Sequence, residues 1–101
     1  MFKDCKNLKT VIIFNSSDYK IGYTAFKDCS SLGYVEIPAS IISIKSDAFD
    51  GCTALETITY KGTVEQWKQV KTDSNDKNYK LMSLKVQCEN GTASGSDLIK
   101  E

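Results

Sequence analysis

One phrase recurs in this chain and limits what it can fold into. Phe2-Lys3-Asp4-Cys5-Lys6-Asn7-Leu8, Phe26-Lys27-Asp28-Cys29-Ser30-Ser31-Leu32 and Phe49-Asp50-Gly51-Cys52-Thr53-Ala54-Leu55 share the form F-x-x-C-x-x-L, with starts 24 and 23 residues apart. The same apolar beat follows each: Leu8, Val11, Ile13; Leu32, Val35, Ile37; Leu55, Ile58, Tyr60. A fixed period in the low twenties marks a solenoid, in which each unit is too small to bury its own apolar side and stacks on its neighbours instead. The expected fold is mostly β with short helical turns: about three units of 23–24 residues over 1–61, then a C-terminal cap.

Alternating inward residues place strands at Lys9–Phe14, Leu32–Ile37 and Leu55–Tyr60, with Pro38 ending the second because proline cannot donate to a ladder. Shorter apolar pieces at 19–22 and Ile41–Ile44 give the two complete units a second strand, and Asn15-Ser16-Ser17-Asp18 is a turn by composition. Each Ala-Phe-x-x-Cys segment (from Ala25 and Ala48) reads as one helical turn tucking Phe and Cys under the coil. The period stops at Lys61-Gly62. Thr63-Val64-Glu65-Gln66 then has the form of a capping box, and Val64, Trp67 and Val70 give a short helix one apolar face. Lys71–Lys80 reads as a polar loop, and Leu81–Cys88 as a final strand. Helix and strand form a cap over 62–88 that protects the last coil's open edge. Residues 89–101 carry the turn Glu89-Asn90-Gly91 and a Gly/Ser/Thr run, and read as a flexible tail or linker.

Composition excludes several functions. Thirteen basic residues balance thirteen acidic ones, which leaves no general field for nucleic acid. No apolar run is long enough to insert in a bilayer. The sequence opens inside a unit, without the polar cap a terminal coil needs. The resulting expectation is a C-terminal portion of a longer protein, with any signal peptide upstream and a first coil open to self-association. Cys5, Cys29 and Cys52 share one place in the three units, as small apolar core residues or as disulfide partners on neighbouring rungs about 4.8 Å apart. Cys88 stands outside the pattern. Without histidine or a C-x-x-C pair, no metal site is indicated.

The second unit carries a resemblance. Ala25, Phe26, Cys29, Leu32, Val35, Ile37, Pro38, Ser40, Ile41 and Ile44 fit A-F-x-x-C-x-x-L-x-x-[VI]-x-I-P-x-S-[VI]-x-x-I, which resembles the BspA-like leucine-rich repeats of bacterial and trichomonad surface proteins. Tyr60-Lys-Gly-Thr63-Val-Glu65-Gln-Trp67 and Asn90-Gly91 are similar to the segments that close such arrays in bacteria. Lys45 departs from the usual glycine, and Phe14 from the usual proline. The resemblance implies a leucine-rich-repeat solenoid on a secreted or cell-surface protein, extracellular in location. It implies adhesion, by protein binding, to host or extracellular proteins and glycoproteins. Its outward strand positions, the usual binding surface of such repeats, are Thr10, Ile12 and Phe14; Tyr34 and Glu36; and Thr57, Thr59 and Lys61. A patch of Ile12, Phe14 and Tyr34 suits a contact site, while the same residues also suit cross-strand packing. The other reading is a structural capping segment of a longer solenoid with no ligand of its own.

Catalysis is not indicated. Without histidine, a base would have to be a tuned carboxylate or lysine. Asp4 and Asp28 instead occupy one repeated place, as turn residues do. There is no phosphate loop, nucleophile elbow or calcium loop, and no cofactor is implied. Asn15-Ser-Ser17 and Asn90-Gly-Thr92 match glycosylation acceptors, which in a bacterial protein are chance.

Overall fold

The computed structural model describes residues 4–14, 20–73 and 79–100. Phe2, the expected turn at 15–18 with its Asn15 acceptor, and the polar stretch 74–78 lie outside them. In order, the elements are β1 (Thr10–Ile12), β2 (Lys20–Ile21), β3 (Tyr34–Pro38), β4 (Ser43–Ile44), β5 (Thr57–Lys61), α1 (Val64–Trp67), β6 (Lys71–Thr72), α2 (Tyr79–Met82), β7 (Lys85–Cys88), β8 (Gly91–Ser94), a 3-10 turn (Gly95–Asp97) and β9 (Ile99–Lys100). The chain is thus mostly strand with a few short helical turns. One sheet has the order β1-β3-β5-β7-β8 and the other β2-β4-β6-β9. Pairing is parallel except between β7 and β8. The chain therefore visits one sheet, then the other, and returns one place further along.

Register decides what is buried. Val11, Val35, Ile58 and Val86 stand in one inward row across four strands. Cys29, Leu32, Val35 and Ile37 are fully buried, as are Cys52, Leu55 and Ile58 at the corresponding places. Phe26 and Phe49 stack with ring centroids 5.4 Å apart and planes 13° off parallel. Each such aliphatic or aromatic side chain contributes about 1.5–3 kcal/mol by leaving water. Their counterparts Cys5, Leu8, Val11 and Ile13 are only partly buried, because β1 is an edge strand with a neighbour on one side alone.

The turns between sheets carry a constraint the apolar pattern does not express. Asp4, Asp28 and Gly51, each just before the repeated cysteine, all have positive φ, at 63°, 60° and 80°. Thr24 and Asp47, each just before Ala-Phe, do the same at 55° and 62°. Asp reaches this left-handed region at modest cost and Gly at none. The conformation turns main-chain groups along the stack: Asp4 N–H donates to the Lys27 carbonyl at 2.8 Å, and Asp28 N–H to the Asp50 carbonyl at 2.7 Å. The expected turn role of these aspartates is their role in the structure.

After β5, the capping box is formed: Gln66 N–H donates to Thr63 Oγ1 at 3.1 Å, and Thr63 N–H to Gln66 Oε1 at 2.8 Å. Trp67 is fully buried, meets Tyr60 edge-on at 5.2 Å, and donates from Nε1 to the Ser94 carbonyl at 2.8 Å. Buried indole thus has the partner its N–H requires.

Several expected boundaries change. β1 is shorter than Lys9–Phe14, as befits an edge strand, although Ile13 N–H still donates to the Glu36 carbonyl. Leu32 and Gly33 belong to the turn before β3, Ile41 and Ile42 precede β4, and Leu55 and Glu56 precede β5. The 71–80 loop is corrected: Lys71–Thr72 is a strand between β4 and β9, and α2 begins at Tyr79. Leu81 belongs to α2, so the last expected strand shortens to Lys85–Cys88. The flexible tail expected over 89–101 is also corrected. β8 pairs antiparallel with β7, and β9 pairs parallel with β6. A dipeptide strand has no periodicity to read; its partner strand supplies the order.

A Cβ at Gly51 would land on Asp28 Oδ1 and press on the Asp28 backbone at 3.1 Å. Gly51→Ala is therefore expected to destabilise the fold by about 1–3 kcal/mol. Thr24→Gly, which relieves a β-branched residue at positive φ, is expected to stabilise it by about 1 kcal/mol. Urea unfolding of the two variants beside the parent checks both signs.

Candidate binding face

Because side chains alternate along a strand, the inward row leaves every second residue of β1, β3 and β5 facing out. Thr10, Tyr34 and Thr57 are register partners in one outward row, and Ile12, Glu36 and Thr59 in the next. Lys61 stands opposite Pro38 on the following step. Phe14 lies two residues past the end of β1.

Four of these eight residues are tied together. Tyr34 donates its hydroxyl to Thr59 Oγ1 at 3.2 Å, so the phenol reaches toward β5 and not toward β1. Lys61 Nζ lies 3.7 Å from Glu36 Oε1. An ion pair as open as this one contributes at most about 1 kcal/mol, but it positions the two charges beside Tyr34. Thr10 and Thr57 are exposed on either side of the tyrosine. Ile12 and Phe14 are 48% and 79% exposed, and form an apolar margin at the β1 side of a largely polar face. The structure also adds residues that the sequence reading missed. Gln87 is the register partner of Thr59, and Thr92 of Gln87, so the outer row continues onto β7 and β8. Alternation in Leu84-Lys85-Val86-Gln87-Cys88 held the signal for Gln87. Thr92 had none, because its strand has the composition of a linker.

The groups with reactive chemistry lie elsewhere. All four cysteines keep their thiols. Cys52 is fully buried and donates to the Phe26 carbonyl at 3.1 Å. Burial, with the neighbouring Cys29 adding to it, pushes the Cys52 thiol from 9.0 up to about 12, and burial likewise raises Cys29. Since the thiolate is the nucleophile and metal ligand, these are core groups. Among the described residues no cluster of three His, Cys, Asp or Glu is placed to hold a metal ion, and no helix is long and apolar enough to cross a membrane.

The sequence profile described as BspA type leucine rich repeat region (6 copies) matches residues 1–90. The chain belongs to the BspA-type leucine-rich repeat family. A solved structure similar to it is a leucine rich cell surface protein from Faecalibacterium prausnitzii A2-165, with 36% sequence identity and a TM-score of 0.61. The likeness covers 65% of this chain and 17% of that one, so the chain spans a small part of that protein's length. No curated protein matches the chain.

In this BspA-type repeat most of the family's motif residues prove to be interior, with Ser40 half-buried. Ala25, Phe26, Cys29, Leu32, Val35, Ile37, Ile41 and Ile44 are all buried. The motif therefore specifies the stacking, while the outward residues are set by other demands. Of the two departures, Lys45 is held from three sides. Its N–H donates to the Ile21 carbonyl at 2.9 Å, and its Nζ lies 3.9 Å from Asp73 Oδ1 and 5.7 Å from the Tyr23 ring centroid. Phe14 is simply exposed.

The thiol shift gives a pH dependence. A thiol whose folded pKa is raised contributes stability that is intact below the unfolded value, near 9.0, and is lost as pH rises toward about 12. Melting temperature is expected to fall more steeply above pH 9.0 in the parent than in Cys52→Ala. Equal slopes in a calorimetric pH series would contradict this.

Proposed function

We propose that this chain is a non-catalytic protein-interaction section of a secreted or surface leucine-rich repeat protein, holding host or extracellular glycoproteins through its outward strand face. One observation carries the reading. Outward side chains of β1, β3 and β5 stand in registered rows, and the polar ones at the centre are fixed by Tyr34–Thr59 and Glu36–Lys61 contacts. A face already ordered loses less freedom on binding. The apolar margin of Ile12 and Phe14 supplies area to bury, and Tyr34 supplies an amphipathic anchor of the type enriched at hot spots. The surface assignment draws on the Faecalibacterium protein, which is described as a cell surface protein. A binding role also suits a chain without histidine.

Immobilised matrix and plasma glycoproteins are the test surface. An Ile12→Ser, Phe14→Ser variant alters only exposed groups and should fold as the parent does. It is expected to bind roughly 10–30-fold more weakly, the loss that goes with a truncated anchor. Parent and variant binding alike would remove the apolar margin from the site, and no binding by either would remove the ligand class.

A second reading concerns residues 62–100, proposed as the segment that closes the solenoid. Trp67 supports it: the indole is fully buried against Tyr60 and bonded to β8, so helix and hairpin cover the inward row together. Trp67→Ala is expected to cost about 3–5 kcal/mol and to expose dye-binding apolar surface. A mild effect on unfolding would argue that the hairpin closes the array unaided.

A further inference from the structure

Asn90 ends the β7–β8 turn and is followed by Gly91. An asparagine before glycine is chemically vulnerable, because the following nitrogen attacks the side-chain amide and a glycine offers no Cβ to hinder it. In that reaction the Gly91 nitrogen bonds to Asn90 Cγ and gives up its proton, and the side-chain nitrogen leaves as ammonia. The resulting cyclic imide takes up one water and opens to aspartate or isoaspartate. Water enters, ammonia leaves, and nothing is oxidised or reduced.

The fold holds this amide at both ends. Asn90 Oδ1 accepts from Val64 N–H at 2.8 Å, and Nδ2 donates to Glu65 Oε1 at 3.0 Å. Both partners belong to α1. The neighbouring Glu89 N–H donates to the Gly62 carbonyl at 2.9 Å, so the hairpin tip is joined to the start of α1 by three bonds. For Cγ to swing onto the Gly91 nitrogen, both side-chain bonds must break. Asn90 and Glu65 are nevertheless exposed, and α1 is a single turn, so the opening is a local event well below global unfolding.

We propose that Asn90 is a deamidation site gated by its two bonds to α1, and that its conversion loosens the join between the β7–β8 hairpin and the helix. The second half follows from the donor inventory. A carboxylate has no N–H to give Glu65, and it sets a second negative charge against the first. The bond to Asn90 is also the main cause holding the Glu65 carboxyl below its usual range, and it is lost with the amide.

The test follows mass gain and isoaspartate at position 90 by peptide mapping, with the full chain held in mildly alkaline buffer at body temperature. Wild type, Glu65→Ala, Gln66→Ala and denatured wild type run side by side. Denatured chain is expected to convert fastest and folded wild type slowest, with Glu65→Ala several-fold faster than folded wild type. Gln66→Ala, which removes a capping-box bond on the same turn but no bond to Asn90, should stay near wild type. Folded and denatured chains converting at one rate would overturn the gate, as would equal acceleration by both variants. An intact Asn90 in denatured chain would overturn the site. For the consequence, Asn90→Asp is expected to lower Tm at neutral pH, with the gap closing as the carboxyls protonate. An unchanged Tm would overturn the loosening.

Discussion

Everything in this structure depends on one step being repeatable: main chain bonding to main chain from one turn of the chain to the next, at a fixed register. Gly33 N–H donates to the Lys9 carbonyl at 2.9 Å, and one turn later Glu56 N–H donates to the Gly33 carbonyl at 3.0 Å. The strands carry the same relation through both parallel sheets. A repeated bond needs a repeated conformation, so a residue able to hold positive φ stands before each of Cys5, Cys29 and Cys52. It also needs a repeated volume, which is why Cys29 lies over Cys52 and Phe26 over Phe49. Register in such a sheet is tightly specified, since a slip of one residue would turn the whole inward row outward.

This requirement divides the labour among residues. Inward places are committed to stacking, and most of the family's recurrent residues are of that kind. Outward places meet no such demand, and are free to differ from strand to strand. Tyr34, Glu36, Thr59 and Lys61 use that freedom to bond one another across strands. The result is a face whose rigidity comes from the ladder beneath it and whose chemistry comes from side chains the ladder does not need.

The far end solves a different problem. Beyond β5 the period is gone, yet a fourth strand joins each sheet. Leu84 N–H donates to the Leu81 carbonyl, the bond that joins leucine to cysteine in the three regular units, with Leu81 standing where cysteine stood. β7 and β8 then fold back on each other, so the sheet finishes in a hairpin of small and polar residues. Trp67 and Asn90 pin that hairpin to α1, the first through a buried indole and the second through an exposed amide. The two ends thus differ: partly covered apolar residues lie behind β1, and a pinned hairpin lies at β8.

How much of this could be read beforehand varies with the kind of order involved. The period of F-x-x-C-x-x-L, the inward beat, the capping box at Thr63 and the outward places on β1, β3 and β5 all lie within a few residues of sequence. Local sterics and burial set them, and so the sequence by itself determined them. It determined much less about where the strands stop. Lys71–Thr72 and Gly91–Ser94 carry no apolar rhythm, and are strands because Ser43–Ile44 and Lys85–Cys88 hold unpaired edges beside them. Nor could spacing tell whether Tyr34 leans toward Ile12 or Thr59, or that Asn90 reaches across 25 residues to Glu65. Tertiary structure alone decided these matters: the β7–β8 hairpin apart, each is a bond between groups remote in sequence, formed only after the sheets had brought them together.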